Sequence, residues 1–197
     1  MNEYRRPTPE QQQDFALKLY FGNGDPLTRS IRRAYLDLCR TAHGIGSYGS
    51  KVKESKEAIR EAIEEIRHRD MTQVEFDEWH KNLCMRLCEI FGPKFKFNVG
   101  QAQKWVNMTF KYLYVFGEAK APGYRHLYDL CHVPIDKVIM KALKNVPQHD
   151  SKGDFQFAWS RIDDYSEYLA FQELLRKEFK DSSPLAMEFW LWQGEIQ

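Results

Sequence analysis

Apolar residues recur at three- and four-residue spacing along most of the chain, the period of amphipathic helices laid against a shared core. Ile31, Tyr35 and Leu38 set this period between Leu27 and Cys39, and Gln11 to Tyr20 carries a similar stripe. In Ser55 to His68, Ile59, Ile63 and Ile66 fall on one side and mixed charge on the other. Asp70 and Met71 break that pattern. Thr72-Gln-Val-Glu75 then predicts a capping box, because the Thr hydroxyl and the Glu carboxylate satisfy amide donors that a helix start leaves free. The helix it opens runs to about Phe91 and stops at Gly92-Pro93.

Asn98 is placed to cap the next helix, from about Gly100 to Phe116, which Gly117 ends. Ala121-Pro-Gly123 is a turn, and a short helix is expected near His126 to Leu130. Pro134 suits a first helical position, which predicts a helix over Ile135 to Leu143. Ser160 to Phe179 and Pro184 to Trp192 are the remaining helices. His43 to Ser50, with three glycines, and the polar Val146 to Asp154 are loops. Strand-like alternation is absent, so the expected class is all-α.

A chain of 197 residues suits one domain, or one domain in two lobes, and is long enough to bury a core. The cysteines at 39, 84, 88 and 131 lack a second Cys or His pair at zinc-like spacing, so no metal is expected and reduced thiols in a cytoplasmic protein are. No apolar run approaches the roughly 20 residues of a membrane span, and Met1-Asn-Glu-Tyr-Arg-Arg is unlike a signal segment. The net charge of +1 hides an uneven distribution. Pro93 to Asn145 holds nine Lys or Arg against three acids, whereas Val146 to Gln197 holds five against ten. A polyanion would meet the middle third; equally, charge blocks are often solvated faces.

The helix from Gly100 carries the candidate chemistry. Trp105, Met108, Thr109, Tyr112, Val115 and Phe116 line one side, while Lys104, Asn107, Lys111 and Glu118 share the opposite stripe. That stripe is either a solvated polar face or part of a site. Downstream, Val133-Pro-Ile-Asp136 places a carboxylate at a helix start, where negative charge is favoured. A lysine and an aspartate on adjacent helices can flank a sugar anomeric carbon. The amine attacks to form an imine, once its pKa is lowered by desolvation or by a neighbouring cation such as Lys104. The carboxylate stabilises the positive charge that develops on the sugar.

Gln103-Lys-Trp-Val-Asn-Met-Thr-Phe-Lys111 resembles the lysine-bearing helix of the archaeal-type 8-oxoguanine DNA glycosylases, within the helix-hairpin-helix superfamily. Val133-Pro-Ile-Asp136-Lys-Val-Ile139 is similar to the stretch that delivers the family's catalytic aspartate. Ser183-Pro-Leu-Ala-Met-Glu-Phe-Trp-Leu-Trp192 is similar to its C-terminal base-pocket segment, with Glu188 standing where the family has an aspartate. The three segments come in family order and cover roughly the C-terminal half of the chain. The hairpin differs, since Asn98-Val-Gly100-Gln has one glycine where the family has two.

The resemblance implies a helix-hairpin-helix glycosylase-like bundle with a cleft between an N-terminal lobe, 1–92, and a second lobe, 93–197, that bears the lysine helix and the aspartate turn. It implies Lys111 as Schiff-base nucleophile, Asp136 as charge-stabilising carboxylate, and Glu188 and Trp192 as base-binding residues. Gly100, Gln101, Lys104 and Lys137 are candidate contacts to the DNA backbone. The activity implied is excision of an oxidised or modified purine from duplex DNA with strand cleavage, by a monomer, with no cofactor and no metal. The alternative is a catalytically inactive module of the same fold that binds nucleic acid or nucleotide, for instance in phage defence or its evasion. A glycosylase takes its base out of the stack into a pocket, where Trp192 can stack. Trp190 and Trp105 are expected in the core, Trp79 and Trp159 in the core or as a second stacking plate, and His132 in a structural role. Gly44-Ile-Gly-Ser-Tyr-Gly49 lacks the Lys-Ser/Thr of a phosphate loop.

Overall fold

The structure, a computed structural model, describes residues 6–143, 159–180 and 182–193. All regular structure among these residues is helical: α1 Pro9–Phe21, α2 Pro26–Leu38, α3 Gly49–Ile66, α4 Gln73–Phe91, α5 Val99–Phe116, α6 Arg125–Tyr128, α7 Lys137–Leu143, α8 Tyr165–Glu178 and α9 Pro184–Gln193. Short 3-10 turns cover Ile45–Ser47 and Trp159–Arg161. No helix among the described residues is long and apolar enough to cross a membrane. The loop expected over Val146–Asp154 lies outside the described residues.

Local signals account for most boundaries. Thr72 and Glu75 form the expected capping box of α4, and Asn98 with Gln101 forms another at α5. Gly117 ends α5 at a φ of 69°, a left-handed conformation that costs glycine nothing sterically. Helix α3 begins at Gly49 rather than near Ser55. There Tyr48 packs against Phe91 and Phe95, and Val52 is buried, so tertiary contacts extend the helix through a glycine start. Ser160 to Phe179 is two elements, because Asp164 caps a new helix with its side chain on the Ser166 amide.

Helix α5 is the axis of the fold. It packs on α2, α4, α6, α8 and the turn Trp159–Arg161. Trp105, Val106, Phe110 and Leu113 fill the core, and the Trp105 indole N–H donates to the Ile31 carbonyl at 3.1 Å. The opposite stripe is not a solvated face: Lys104 and Asn107 are buried, as is the neighbouring Gln103, Lys111 is half-buried, and only Glu118, beyond the helix end, is exposed. Gly100 makes the entry possible. Its amide donates to the Ile162 carbonyl at 2.9 Å, and a Cβ at this position would sit 2.0 Å from the Trp159 carbonyl oxygen.

Burying a polar stripe requires partners for it. The Asn107 carbonyl oxygen accepts from His80 Nε2 at 2.9 Å. Its amide donates to Gln103 Oε1, the Val133 carbonyl and the Tyr168 hydroxyl. Tyr168 in turn donates to His132 Nδ1 at 2.7 Å, and His132 Nε2 donates to Asp77 Oδ1 at 2.7 Å. Arg176 closes the chain with a two-pronged contact to Asp77. These partners require each histidine to carry its proton on Nε2. Burial, the largest influence, pushes both histidines toward the neutral form. Asp77 is held well below the usual carboxylate range: burial raises it, but His132 and Arg176 more than offset that.

The segment between α6 and α7 has no regular structure and α7 starts only at Lys137, contrary to the placement of Pro134 at a helix start. Gln172 bonds both backbone groups of Val133, and Gln103 bonds both of Ile135, so these residues have no groups left for a helix. Asp136 becomes the cap instead, its Oδ1 accepting from the Val138 and Ile139 amides at 2.9 and 3.2 Å. Trp190, expected in the core, is 50% exposed. Leu185, Met187 and Leu191 occupy the buried side of α9 in its place.

Asn107→Leu tests the buried network. It leaves the His80 N–H and the Val133 carbonyl with fewer partners, and the expected loss is about 3 kcal/mol of unfolding free energy. Urea denaturation measures it; a loss within error of zero would mean that the network contributes nothing net.

Candidate active site

Three elements meet at the C-terminal side of the molecule. Helix α5 presents Lys104 and Lys111, two turns apart and so roughly 10 Å along its axis. The turn before α7 presents Asp136. Helix α9, packed on α7, presents Glu188 and Trp192 one turn apart.

Lys111 Nζ lies 2.5 Å from Glu188 Oε1 and 4.7 Å from the centre of the Trp192 ring. The ammonium therefore sits between a carboxylate and an aromatic face. Glu188 is 1% exposed, and its second oxygen, Oε2, is buried without a hydrogen-bond partner among the described residues. Burial raises the Glu188 carboxyl from 4.5 to about 7; Lys111 opposes the rise and the charge of Asp136 adds to it. Trp192 is 54% exposed, so much of its surface is open to solvent.

Lys104 Nζ lies 3.6 Å from Asp136 Oδ2 and 4.5 Å from the centre of the Trp159 ring. Both side chains are largely buried. The Val138 and Ile139 amides hold Asp136 Oδ1, which leaves Oδ2 for the lysine. The cluster thus contains two lysine–carboxylate pairs, each beside a tryptophan. One is tight, with an orphan carboxylate oxygen. The other is looser and carries a capping carboxylate.

Residues nominated from the sequence come together, but in different pairs. The lysine against Asp136 is Lys104, whereas Lys111 is bonded to Glu188. A stripe that contains both lysines does not specify which carboxylate each one meets. Three of the proposed DNA-backbone contacts are committed elsewhere. The Gly100 amide is bonded to Ile162, the Gln101 amide to the Asn98 side chain, and Lys104 to Asp136 within the protein. Lys137 is exposed at the first position of α7. Trp159, for which the sequence allows either core or stacking plate, is buried under Lys104. Its proximity to α5 follows from Asn98, whose side-chain amide donates to the Ser160 carbonyl at 2.8 Å, and no local sequence signal marks that contact.

No protein-family model matches the chain, and no curated protein or solved structure matches it. Among the described residues, no three His, Cys, Asp or Glu side chains are grouped so as to hold a metal ion.

The raised Glu188 carboxyl has a signed consequence. The folded chain retains a proton on this group that the unfolded chain gives up from about pH 4.5, so the stabilisation is present below that pH and is lost as pH rises through about 7. Against a Glu188→Gln reference, wild-type stability should decline by on the order of 3 kcal/mol between pH 4 and 8. Denaturant titrations of both proteins across that range test it; parallel profiles would show that the group titrates normally.

Proposed function

We propose that the chain is a DNA glycosylase with β-elimination lyase activity, excising an oxidised or modified purine of the 8-oxoguanine kind through a lysine Schiff base. The fold would be of the helix-hairpin-helix glycosylase type, with the substrate base entering a cleft between two lobes. One observation carries the reading: segments resembling the family's lysine helix, aspartate turn and base-pocket helix contribute side chains to one cluster, as Lys104 with Asp136 and Lys111 with Glu188 and Trp192.

The resemblance nominates Lys111 as nucleophile, whereas the geometry favours Lys104 for that step and Lys111 for the base pocket. A nucleophilic amine has to stand beside the carboxylate that stabilises the sugar cation, and Lys104 stands beside Asp136. Lys111 is tied to a deeply buried carboxylate under an aromatic face, an arrangement suited to gripping a flat heterocycle. In the reaction, the neutral amine of Lys104 forms a bond to C1′ as the glycosidic bond breaks. The bonding pair leaves with the base, which takes up a proton. The amine bound to C1′ passes a proton to the ring oxygen, and its lone pair forms the imine as the C1′–O4′ bond breaks and O4′ leaves as a hydroxyl. Loss of a C2′ proton then expels the 3′ phosphate. The basic stretch from Pro93 to Asn145 supplies charge for the DNA backbone.

Borohydride trapping on a duplex containing oxidised guanine tests this directly. Wild type should yield a covalent adduct, Lys104→Gln none, and Asp136→Asn about 100-fold less per unit time. Lys111→Gln should still trap, with weakened discrimination between lesion and normal base. An adduct lost in Lys111→Gln but retained in Lys104→Gln would return the nucleophile to Lys111, and no adduct in wild type would remove the lyase activity.

One observation favours the second reading, a catalytically inactive module that binds nucleic acid or nucleotide. The first amides of α5, which would grip a phosphate, are satisfied within the protein. That reading predicts saturable binding of DNA or nucleotide with no trapped adduct.

A further inference from the structure

Gln103 is fully buried and uses every polar atom it has. Its side-chain nitrogen donates to the Gly100 carbonyl at 2.9 Å and to the Ile135 carbonyl at 3.1 Å. Its oxygen accepts from the Ile135 amide at 3.2 Å and from Asn107 at 3.0 Å. Ile135 immediately precedes Asp136, and Gln103 immediately precedes Lys104. A single side chain therefore ties the backbone carrying the carboxylate to the backbone carrying the amine, and the Lys104–Asp136 separation of 3.6 Å spans that tie.

We infer that Gln103 is a positioning residue whose two-way bond to Ile135 sets the distance between Lys104 and Asp136, and that Lys–carboxylate geometry is thereby controlled from within α5. The inference rests on the glycosylase reading for its catalytic consequence, though not for the geometry itself. Gln is suited to the task because it offers a donor and an acceptor on one rigid amide plane. Methionine matches its length but offers neither. Glutamate keeps the acceptor for the Ile135 amide and sets a second acceptor against the Ile135 carbonyl.

The structure contains its own control. Gln172, on α8, makes the same pair of bonds to Val133, at 3.0 and 2.8 Å, and is equally buried. It anchors the same segment two residues further from Asp136 and is not adjacent to either lysine. A role limited to holding the segment in place would make the two glutamines equivalent.

The experiment compares Gln103→Met, Gln103→Glu and Gln172→Met in two assays. In the first, Lys104 is labelled by formaldehyde and cyanoborohydride without DNA, and its methylation rate is read by peptide mass mapping. Loosening Asp136 frees the amine, so both Gln103 variants should label Lys104 about threefold faster or more, and Gln172→Met at the wild-type rate. In the second, the single-turnover rate of borohydride trapping should fall on the order of 100-fold in Gln103→Met and no more than about threefold in Gln172→Met, with DNA affinity unchanged in both. Should Gln103→Met fail to fold, Gln103→Glu carries both comparisons. Unchanged Lys104 labelling in the Gln103 variants, or equal effects from Gln103 and Gln172, overturns the inference. Altered labelling alongside a wild type that traps nothing leaves the tie standing and removes the glycosylase reading.

Discussion

A helix buried on every side must still find partners for its polar groups, and this constraint organises the molecule. Helix α5 meets it with side chains from three directions: His80 from α4, Tyr168 from α8, and the backbone of the segment before α7. Each bond in the set is of ordinary strength. Its weight comes from the alternative, because a stranded polar group in this interior would cost more than the bond contributes. The register of α5 is therefore fixed by polar contacts as firmly as by Trp105 and Phe110.

That register also decides the electrostatics of the cluster. Two lysines seven residues apart share one face, yet their surroundings differ. Lys111 meets a carboxylate that has lost nearly all its water, so burial and the ammonium pull Glu188 in opposite directions and leave it titrating near neutrality. Lys104 meets a carboxylate already oriented by two backbone amides. The first pair is a close contact with an unused oxygen; the second is an amine held loosely beside a fixed charge. Two similar pairs on one helix face thus differ in burial, in contact distance and in how their carboxylates are held.

The sequence discloses those features that depend on neighbours along the chain. Thr72 with Glu75, and Asn98 with Gln101, announce their helices because a cap is a contact across three residues. Lys111, Glu188 and Trp192 are reachable through short motifs. Lys104 is legible as a member of the polar stripe, but its pairing with Asp136 joins residues 32 apart, as does the Gln103–Ile135 contact beside it, and neither leaves a local pattern. The same holds for Pro134, whose residue type suits a helix start until two distant glutamines claim the backbone around it. Trp190 shows the reverse: two residues from Trp192 it cannot share that helix face, which points it to the core, yet it is exposed because Leu185, Met187 and Leu191 fill the buried side of α9.

The route by which Asn107 is satisfied bears on how the chain folds. Its partners come from α4, from the segment around Val133 and from α8, the last 61 residues away. Before α8 docks, Gln103, His80 and the Val133 carbonyl can already serve α5, and the Tyr168 hydroxyl is the partner that joins from furthest along the chain. Contacts that span 32 and 61 residues carry a larger closure entropy than any helix cap in the molecule, so the burial of α5 draws on parts of the chain far apart in sequence.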